Sequence, residues 1–490
     1  MAEAAVPFTR AVHAWAARDA EAPALTHEQD VISYGELAGR IDSAAARLAH
    51  EWGIRSGDRI AWLGANDAAQ IVLLFALARL GAVLLPLNFR LAAPEWDEQL
   101  KHCTPRLVVH DPAWAQGARE LAARHGIPSR LAAELAAAGT LPAAPEQAHP
   151  DAPALLVFTS GTTGRPKAAV HSQANLLANM RIASQAQHIT RQDRILTVLP
   201  LFHVGGLCIQ TLPALSCGAH VILHSRFSPD ATLDAIARER PTLTLQVPAT
   251  MKALVEHPRW KEADLSSLRA MWAGASVIPP PLVEAFHARG VPVCNVYGST
   301  ETGPFSIALG PADAMRKAGS CGWPAGGVEA RLASPRDGVG EVLVRAPNVV
   351  RRYWPDEPAC DGDGWFHTGD LARQDADGSF TIVGRAKDLI ISGGENIHPA
   401  EIEEALSQHG AVLECAAFGV SDAEWGEVAA VAVVARPGMQ VDERALRMHL
   451  EGRIARFKVP RRWMFVEALP KTALGKVQRN VLAQAAGKAG

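Results

Sequence analysis

The densest concentration of groups able to hold an anion is the run Thr159, Ser160, Gly161, Thr162, Thr163, Gly164, Arg165, Pro166, Lys167. Glycines let backbone N–H groups close on a negatively charged ligand, the hydroxyls add donors, and Arg165 and Lys167 add charge. Such a loop can cradle a polyphosphate. Gly161 and Lys167 have the same separation as the first glycine and the lysine of the nucleotide-binding pattern G-x-x-x-x-G-K-[ST]. Pro166, however, stands where that pattern needs its second glycine, and Ala168 where it needs a magnesium-holding hydroxyl. The loop is therefore of another kind. A plain surface turn does not account for it either, because ordinary turns need only a few such residues.

A strand over 154–159 leads into the loop and belongs to a rhythm that fills the first three quarters of the chain. Ser33 and Glu36 form a capping box that opens a helix continuing through Ala44 and Leu48. The stretch 59–63 then reads as a strand, 67–80 as a helix and 82–87 as the next strand; further strands are expected at 107–110, 195–199, 220–224, 243–247, 270–273 and 293–297. This alternation predicts a mostly parallel sheet system with helices on its faces. The Ala- and Pro-rich stretch 131–153 reads as a short helix and a connector. Beyond about residue 340 the strands become shorter and Gly- and Asp-punctuated, as at 341–345 and 380–383. A helix over 399–408, strands at 413–420 and 428–435, a helix over 442–456 and an edge strand near 462–466 follow. The expected division is 1–386 and 387–490, with the boundary at Lys387.

With 490 residues, 48% hydrophobic and 20% charged, the chain can bury a large core and exceeds one compact domain. A net charge of -3 without any block of Lys or Arg gives no reason to expect nucleic acid or an anionic membrane as partner. The seven cysteines are scattered, with neither a C-x-x-C pair nor zinc-ligand spacing, which fits reduced thiols in the cytoplasm. The first ten residues lack a signal-peptide pattern. The most apolar stretch, 71–87, is broken by Arg79 and Gly81 and falls short of the roughly 20 apolar residues that span a bilayer. These bounds favour a cytoplasmic protein acting on small molecules, and a homodimer is one open assembly.

Four more motifs follow the phosphate loop: Tyr297-Gly298-Ser299-Thr300-Glu301, Thr368-Gly369-Asp370, Gly384-Arg385-Ala386-Lys387-Asp388, and Pro470-Lys471-Thr472-Ala473-Leu474-Gly475-Lys476. With the loop, which differs from T-S-G-T-T-G-x-P-K-G only at Ala168, they make the chain similar to the adenylate-forming superfamily of AMP-binding acyl-CoA synthetases, amino-acid adenylation domains and firefly luciferase. Lys167-Ala168-Ala169, Ala273-Gly274-Ala275, Asn295 to Gly298 and Ile390 to Pro399 resemble most the aryl-CoA ligases of the 4-chlorobenzoate kind. The resemblance implies an α/β fold: a large N-terminal region of stacked mixed and parallel sheets with flanking helices plus a distorted β-barrel, and a small mobile α+β C-terminal domain.

It also implies roles. Thr159, Ser160, Gly161, Thr162, Thr163, Gly164 and Lys167 would hold the ATP phosphates, with Thr300 donating to the α-phosphate and Tyr297 and Gly298 packing on adenine. Asp370 would accept from the ribose hydroxyls, Arg385 would donate to the same sugar, and Glu301 would hold Mg2+. Joining a carboxylate to a phosphate brings anions together, and Lys476 would supply the compensating charge. A hinge at Lys387 would then turn the C-terminal domain, removing Lys476 and bringing in Ser392, Gly393 and Gly394, beside which the pantetheine arm of coenzyme A could pass. Trp425 and Phe457 match aromatic positions along the coenzyme A path, and both equally suit core packing.

The acid pocket is expected from His203, Val204, Gly205, Gly274, Val296, Gly303 and Pro304. A histidine at 203 gates the pocket in CoA ligases, whereas amino-acid adenylation domains have an Asp nearby for the substrate ammonium. Gly205, Gly206 and Gly303 would make room for an acid longer or wider than benzoate. Val459 stands where the 4-chlorobenzoate ligase has a cation near the coenzyme A nucleotide. Only 14 residues follow Lys476, too few for a fused carrier domain, so the expected acceptor is a free thiol, coenzyme A. The reading is an ATP-dependent carboxylate–CoA ligase whose acid is aromatic, of benzoate or cinnamate type, or fatty. The alternatives are an adenylating enzyme that loads a separate carrier protein and a non-catalytic nucleotide-binding homologue.

Overall fold

The computed structural model describes residues 7–136, 141–159, 167–336, 338–392, 395–422, 425–471 and 477–488. The chain divides into two compact units, 1–330 with 344–367 and 331–343 with 368–490.

Among the described residues the first unit holds a nine-stranded and an eight-stranded sheet. In the former, Val293–Tyr297, Ala270–Gly274, Leu243–Gln246, Arg194–Thr197, His220–Leu223 and Pro23–His27 run parallel in that spatial order. In the latter, Ser129–Leu131, Leu107–His110, Arg59–Leu63, Val83–Pro86 and Pro153–Thr159 are the parallel part. The expected βα rhythm is present, with helices Tyr34–His50 and Ala68–Arg79 opened by side-chain caps from Ser33 and Asp67. Short antiparallel strands extend both sheets: Asp30–Ser33, Ile307–Leu309 and Trp323–Pro324 in one, Lys167–Ser172, Arg352–Tyr353 and Glu357–Pro358 in the other. Sequence periodicity did not anticipate them; those of two or three residues barely complete the two-residue period.

The switch from parallel to antiparallel matters most at the phosphate loop. Pro153–Thr159 returns directly as Lys167–Ser172, with Thr159 registered against Lys167. Both ends of the loop are therefore fixed on adjacent strands; Ser160, Gly161, Thr162, Thr163, Gly164, Arg165 and Pro166 lie outside the described residues. Ala168 and Val170 pack with Leu156, Leu63, Leu85, Trp96, Leu100 and Leu121 in one apolar cluster. Strand alternation turns Lys167, Ala169 and His171 to the opposite face.

His171 is fully buried and neither ring nitrogen has a hydrogen-bond partner among the described residues. Burial disfavours the imidazolium and lowers its pKa from 6.5 to about 4. The unfolded chain therefore takes up this proton more readily than the folded one. The stability held by the neutral ring is complete above pH 6.5 and is lost as pH falls toward 4, reaching about 2 kcal/mol by pH 5. Unfolding of the wild type and His171→Leu at pH 7.5 and pH 5.0 should show the wild type losing more by that amount; a pH-independent offset between them would contradict this account.

A four-stranded sheet of Glu329–Arg336, Val339–Arg345, Phe366–Gln374 and Phe380–Arg385 lies mostly in the second unit. That unit also holds a five-stranded sheet built around Gly426–Ala435, flanked by Val412–Asp422, Ile390–Ser392 and, in parallel, Arg462–Phe465. Both faces of the central strand are covered. Val431 and Val433 pack with Ile402, Leu406, Leu446 and Leu450, and Val428, Ala430 and Ala432 pack with Phe418 and Leu482. The helix expected over 442–456 is shorter: Asp442 caps Glu443–Leu450, and the chain then turns through Gly452 at φ 75°.

Among the described residues no helix is long and apolar enough to cross a membrane. None of the seven cysteines is in a disulfide among the described residues.

Candidate active site

In the first unit the strand after the phosphate loop, the turn after Tyr297 and the segment around residue 353 meet through side chains. The Lys167 ammonium lies 5.1 Å from the centroid of the Tyr353 ring and is ion-paired with Glu357. The Tyr353 hydroxyl donates to Glu301 Oε1 at 3.1 Å. Burial first, then the charge of Glu301, pushes this hydroxyl far above its ordinary pKa, so it stays a donor. The backbone fixes the same arrangement: Tyr353 pairs with Ala169, Trp354 N donates to Ala168 O at 2.8 Å, and Val350 N donates to Glu301 O at 2.8 Å. Tyr353 and Glu357 were missed by sequence reasoning, since neither lies in a motif.

Tyr297 ends the strand Val293–Tyr297, and Thr300, Glu301 and Thr302 follow as one 3-10 turn. Gly298 is indispensable to this geometry: a Cβ there would lie 1.7 Å from Pro304 O. The turn is held from below by two buried asparagines absent from the sequence reading. Asn348 Nδ2 faces Thr302 O and Phe305 O, each at 2.9 Å, and Asn179 Oδ1 at 3.2 Å. Asn179 in turn donates to Cys208 O at 2.7 Å and accepts from Phe305 N at 3.3 Å. Gly303, at φ 99°, leaves the space that Asn348 fills, because its Cβ would meet Asn348 Nδ2 at 2.6 Å. Gly274 has a similar role on the neighbouring strand, where a Cβ would stand 2.5 Å from Val296 O.

His203 caps the short helix Val204–Gly206, its Nδ1 accepting from Gly205 N at 3.0 Å. Val204, Gly205 and Gly206 are buried, and His203 is half-buried. Gly206 has no room for a side chain, since its Cβ would sit 2.3 Å from Pro200 O and 2.6 Å from Leu199 O. The following turn, Leu207–Thr211, is widened to π-helical hydrogen bonding.

In the second unit Asp370 and Arg385 are cross-strand partners, with Arg385 Nε 2.7 Å from Asp370 Oδ1. Lys387 is exposed in the 3-10 turn Ala386–Asp388. Ser392 is buried and registered against Gly426, the residue after Trp425. Trp425 and Phe457 are 37% and 46% exposed, so neither is a core packing residue. The Arg461 guanidinium lies 4.5 Å from the centroid of the Trp425 ring, a cation near residue 459 that the sequence reading did not single out. Gly393, Gly394 and Lys476 lie outside the described residues.

A family model described as AMP-binding enzyme matches residues 12–354, and one described as AMP-binding enzyme C-terminal domain matches residues 401–476. The chain belongs to this family. It is an acid–thiol ligase of the AMP-forming acyl-CoA synthetase kind, with a carboxylic acid, ATP and coenzyme A as substrates. It is 43% identical to an indoleacetate–CoA ligase of Aromatoleum aromaticum, over 92% of this chain and 93% of that one. It is 40% identical to a feruloyl-CoA synthase of Amycolatopsis sp, over 94% and 95%. Among solved structures, o-succinylbenzoate CoA synthetase from Bacillus subtilis in complex with its acyl-adenylate intermediate superposes with a TM-score of 0.87 at 32% identity, over 97% of this chain and 98% of that one.

Proposed function

We propose that the acid activated by this ligase is an aromatic one, carried on a short side chain like that of an arylacetate or a cinnamate. The observation that carries this reading is the high identity, over nearly the whole of both chains, with relatives named for indoleacetate and feruloyl substrates. The glycines expected to make room for the acid do not carry it: Gly206 is closed off by Pro200 O and Leu199 O and Gly303 by Asn348, because each lies against a close approach of neighbouring atoms. With His203, Val204 and Gly205, residues Gly274, Val296, Gly303 and Pro304 form the pocket in this reading.

In the first half-reaction a carboxylate oxygen attacks the α-phosphorus, an O–P bond forms, and pyrophosphate leaves. The loop from Thr159 to Lys167 holds the phosphates, Thr300 donates to the α-phosphate, and Tyr297 and Gly298 form the adenine shelf. Mg2+ held by Glu301 would neutralise charge on the phosphates. Glu301 suits it: such an ion keeps most of its waters and takes one or two carboxylates, and the Tyr353 hydroxyl engages only Oε1. Lys476 compensates the approaching anions. Residues 387–490 then turn about Lys387, so that Ser392, Gly393 and Gly394 with Trp425 and Phe457 guide coenzyme A. Arg461 adds a cation on the same aromatic. The free cysteines suit a cytoplasmic setting.

Incubation with ATP, Mg2+, coenzyme A and a panel of arylacetates, cinnamates, benzoates, short dicarboxylates and fatty acids, with thioesters read by mass, tests the reading. Aryl acids should be used best; preference for a fatty acid, or transfer to a holo carrier protein but not to coenzyme A, would sink it. For the nucleotide, Asp370→Ala should raise the KM for ATP by about tenfold or more, the scale of a lost charge-assisted hydrogen bond. A supplied acyl-adenylate carries the same ribose and should bind correspondingly worse. Unchanged KM values for both would remove Asp370 from the ribose site.

A further inference from the structure

Against Gly206 the fold encloses a void of about 10 Å³, lined by Thr197, Leu199, Gly206, Gln210 and Leu245 among others. It has roughly the room of one small polar group. Two polar side chains line it, those of Thr197 and Gln210. Gln187 Nε2 donates to Ala183 O at 3.1 Å and Ile209 O at 2.7 Å, which fixes that amide with Oε1 as its acceptor. Gln210 Nε2 donates to this oxygen at 3.0 Å. Gln210 Oε1 is thereby left without a donor among the described residues, on a side chain only 2% exposed. Likewise Thr211 Oγ1 gives its hydrogen to Gly206 O at 2.6 Å, so Thr197 Oγ1 must give its own to Thr211 at 3.1 Å and presents only lone pairs. Gln210 Oε1, on a residue that lines the void, is thus an acceptor awaiting a donor.

A buried acceptor without a partner is costly and rare, which calls for an occupant. Gly206, one of the residues lining the void, lies three residues beyond His203, at the acid pocket proposed above. Gln210 itself sits in the π-helical turn Leu207–Thr211, an irregularity often found where a side chain must be aimed at a functional site. We infer that Gln210 Oε1 receives an N–H or O–H at the far end of the acid, so that the enzyme selects aromatic acids bearing a ring N–H or a phenolic hydroxyl. This assignment rests on the ligase reading and sharpens it to a chemical class. The ring lies on the His203 side, and only the donor atom enters the void.

The test compares matched acids that differ in the donor: indole-3-acetate against 1-benzothiophene-3-acetate, and 4-hydroxycinnamate against cinnamate. In the wild type, kcat/KM should favour the donor-bearing member by about tenfold or more, since a site built to hydrogen-bond a substrate rejects the analogue lacking the group. Gln210→Leu, similar in volume but without the acceptor, should bring the ratios close to one, chiefly by losing the donor-bearing acid. Equal use of both members by the wild type would overturn the assignment, leaving the void to a resident water; so would ratios unchanged in Gln210→Leu. The wild-type ratios decide the matter even if the variant folds poorly. Absence of AMP and thioester with every acid in the wider panel would instead remove the ligase reading, and this inference with it.

Discussion

Replacing Lys476 with alanine should lower acyl-adenylate formation by about 100-fold or more while leaving thioester formation from a supplied acyl-adenylate largely intact. The asymmetry follows from charge. In the first step a carboxylate approaches a phosphate, and a cation placed where negative charge accumulates stabilises the transition state far more than the separated reactants. In the second, the coenzyme A thiol loses its proton and its sulfur bonds to the acyl carbon, while the bond from that carbon to the phosphate oxygen breaks and AMP leaves. No new pair of anions is forced together there. Pyrophosphate exchange reads the first step, and single-turnover reaction of acyl-adenylate with coenzyme A reads the second. Equal losses in both would contradict a turn about Lys387 that withdraws Lys476 between them.

Gly298→Ala should be damaging in a different pattern, impairing both half-reactions. The added methyl would stand 1.7 Å from Pro304 O, a separation no side-chain adjustment relieves because both atoms are set by backbone. The turn from Ser299 to Pro304 must move, and it carries Thr300, Glu301 and Gly303. Overpacking of this kind costs about 1–3 kcal/mol of stability. Displacement of positioning groups by about 1 Å can cost about 100-fold in rate. Adenylation should therefore fall by that order, and so should use of a supplied acyl-adenylate, whose adenine needs the same shelf. A variant with wild-type KM for ATP and wild-type turnover would show that this turn is not part of the nucleotide site.

The contrast between these residues and the ones missed by sequence reasoning is physical. Asp370 and Arg385 lie in short motifs on neighbouring strands of one sheet, so a local pattern predicts a local meeting. The strands over 59–63 and 107–110 were legible because β-branched and apolar runs of four or five residues are bounded by polar turns. Tyr353 meets Glu301 across 52 residues, and Asn348 meets Asn179 across 169. Neither an asparagine nor a tyrosine outside a motif announces its partner, because its role is decided by the tertiary path that brings that partner to it. Gln210 was hidden for the same reason: its significance lies in which of its two amide atoms is already engaged. The helix over 442–456 was overrun for a local reason that composition does contain, since Gly452 takes a left-handed turn that ends it.

The pairing of Lys167 with Glu357 bears on how the proposed phosphate cradle would choose among anions. With the ammonium neutralised in this way, nucleotide binding becomes an exchange of counter-ions, in which Glu357, 54% exposed, is released into water. A singly engaged anion such as sulfate gains little, because it only replaces one negative partner of Lys167 by another. A triphosphate would make the same exchange while also bonding to Thr300 and the rest of the proposed cradle. The proposed cradle would thereby favour anions that present several charges along one chain, and its affinity for them should fall less steeply with added salt than the number of cations in the loop would suggest.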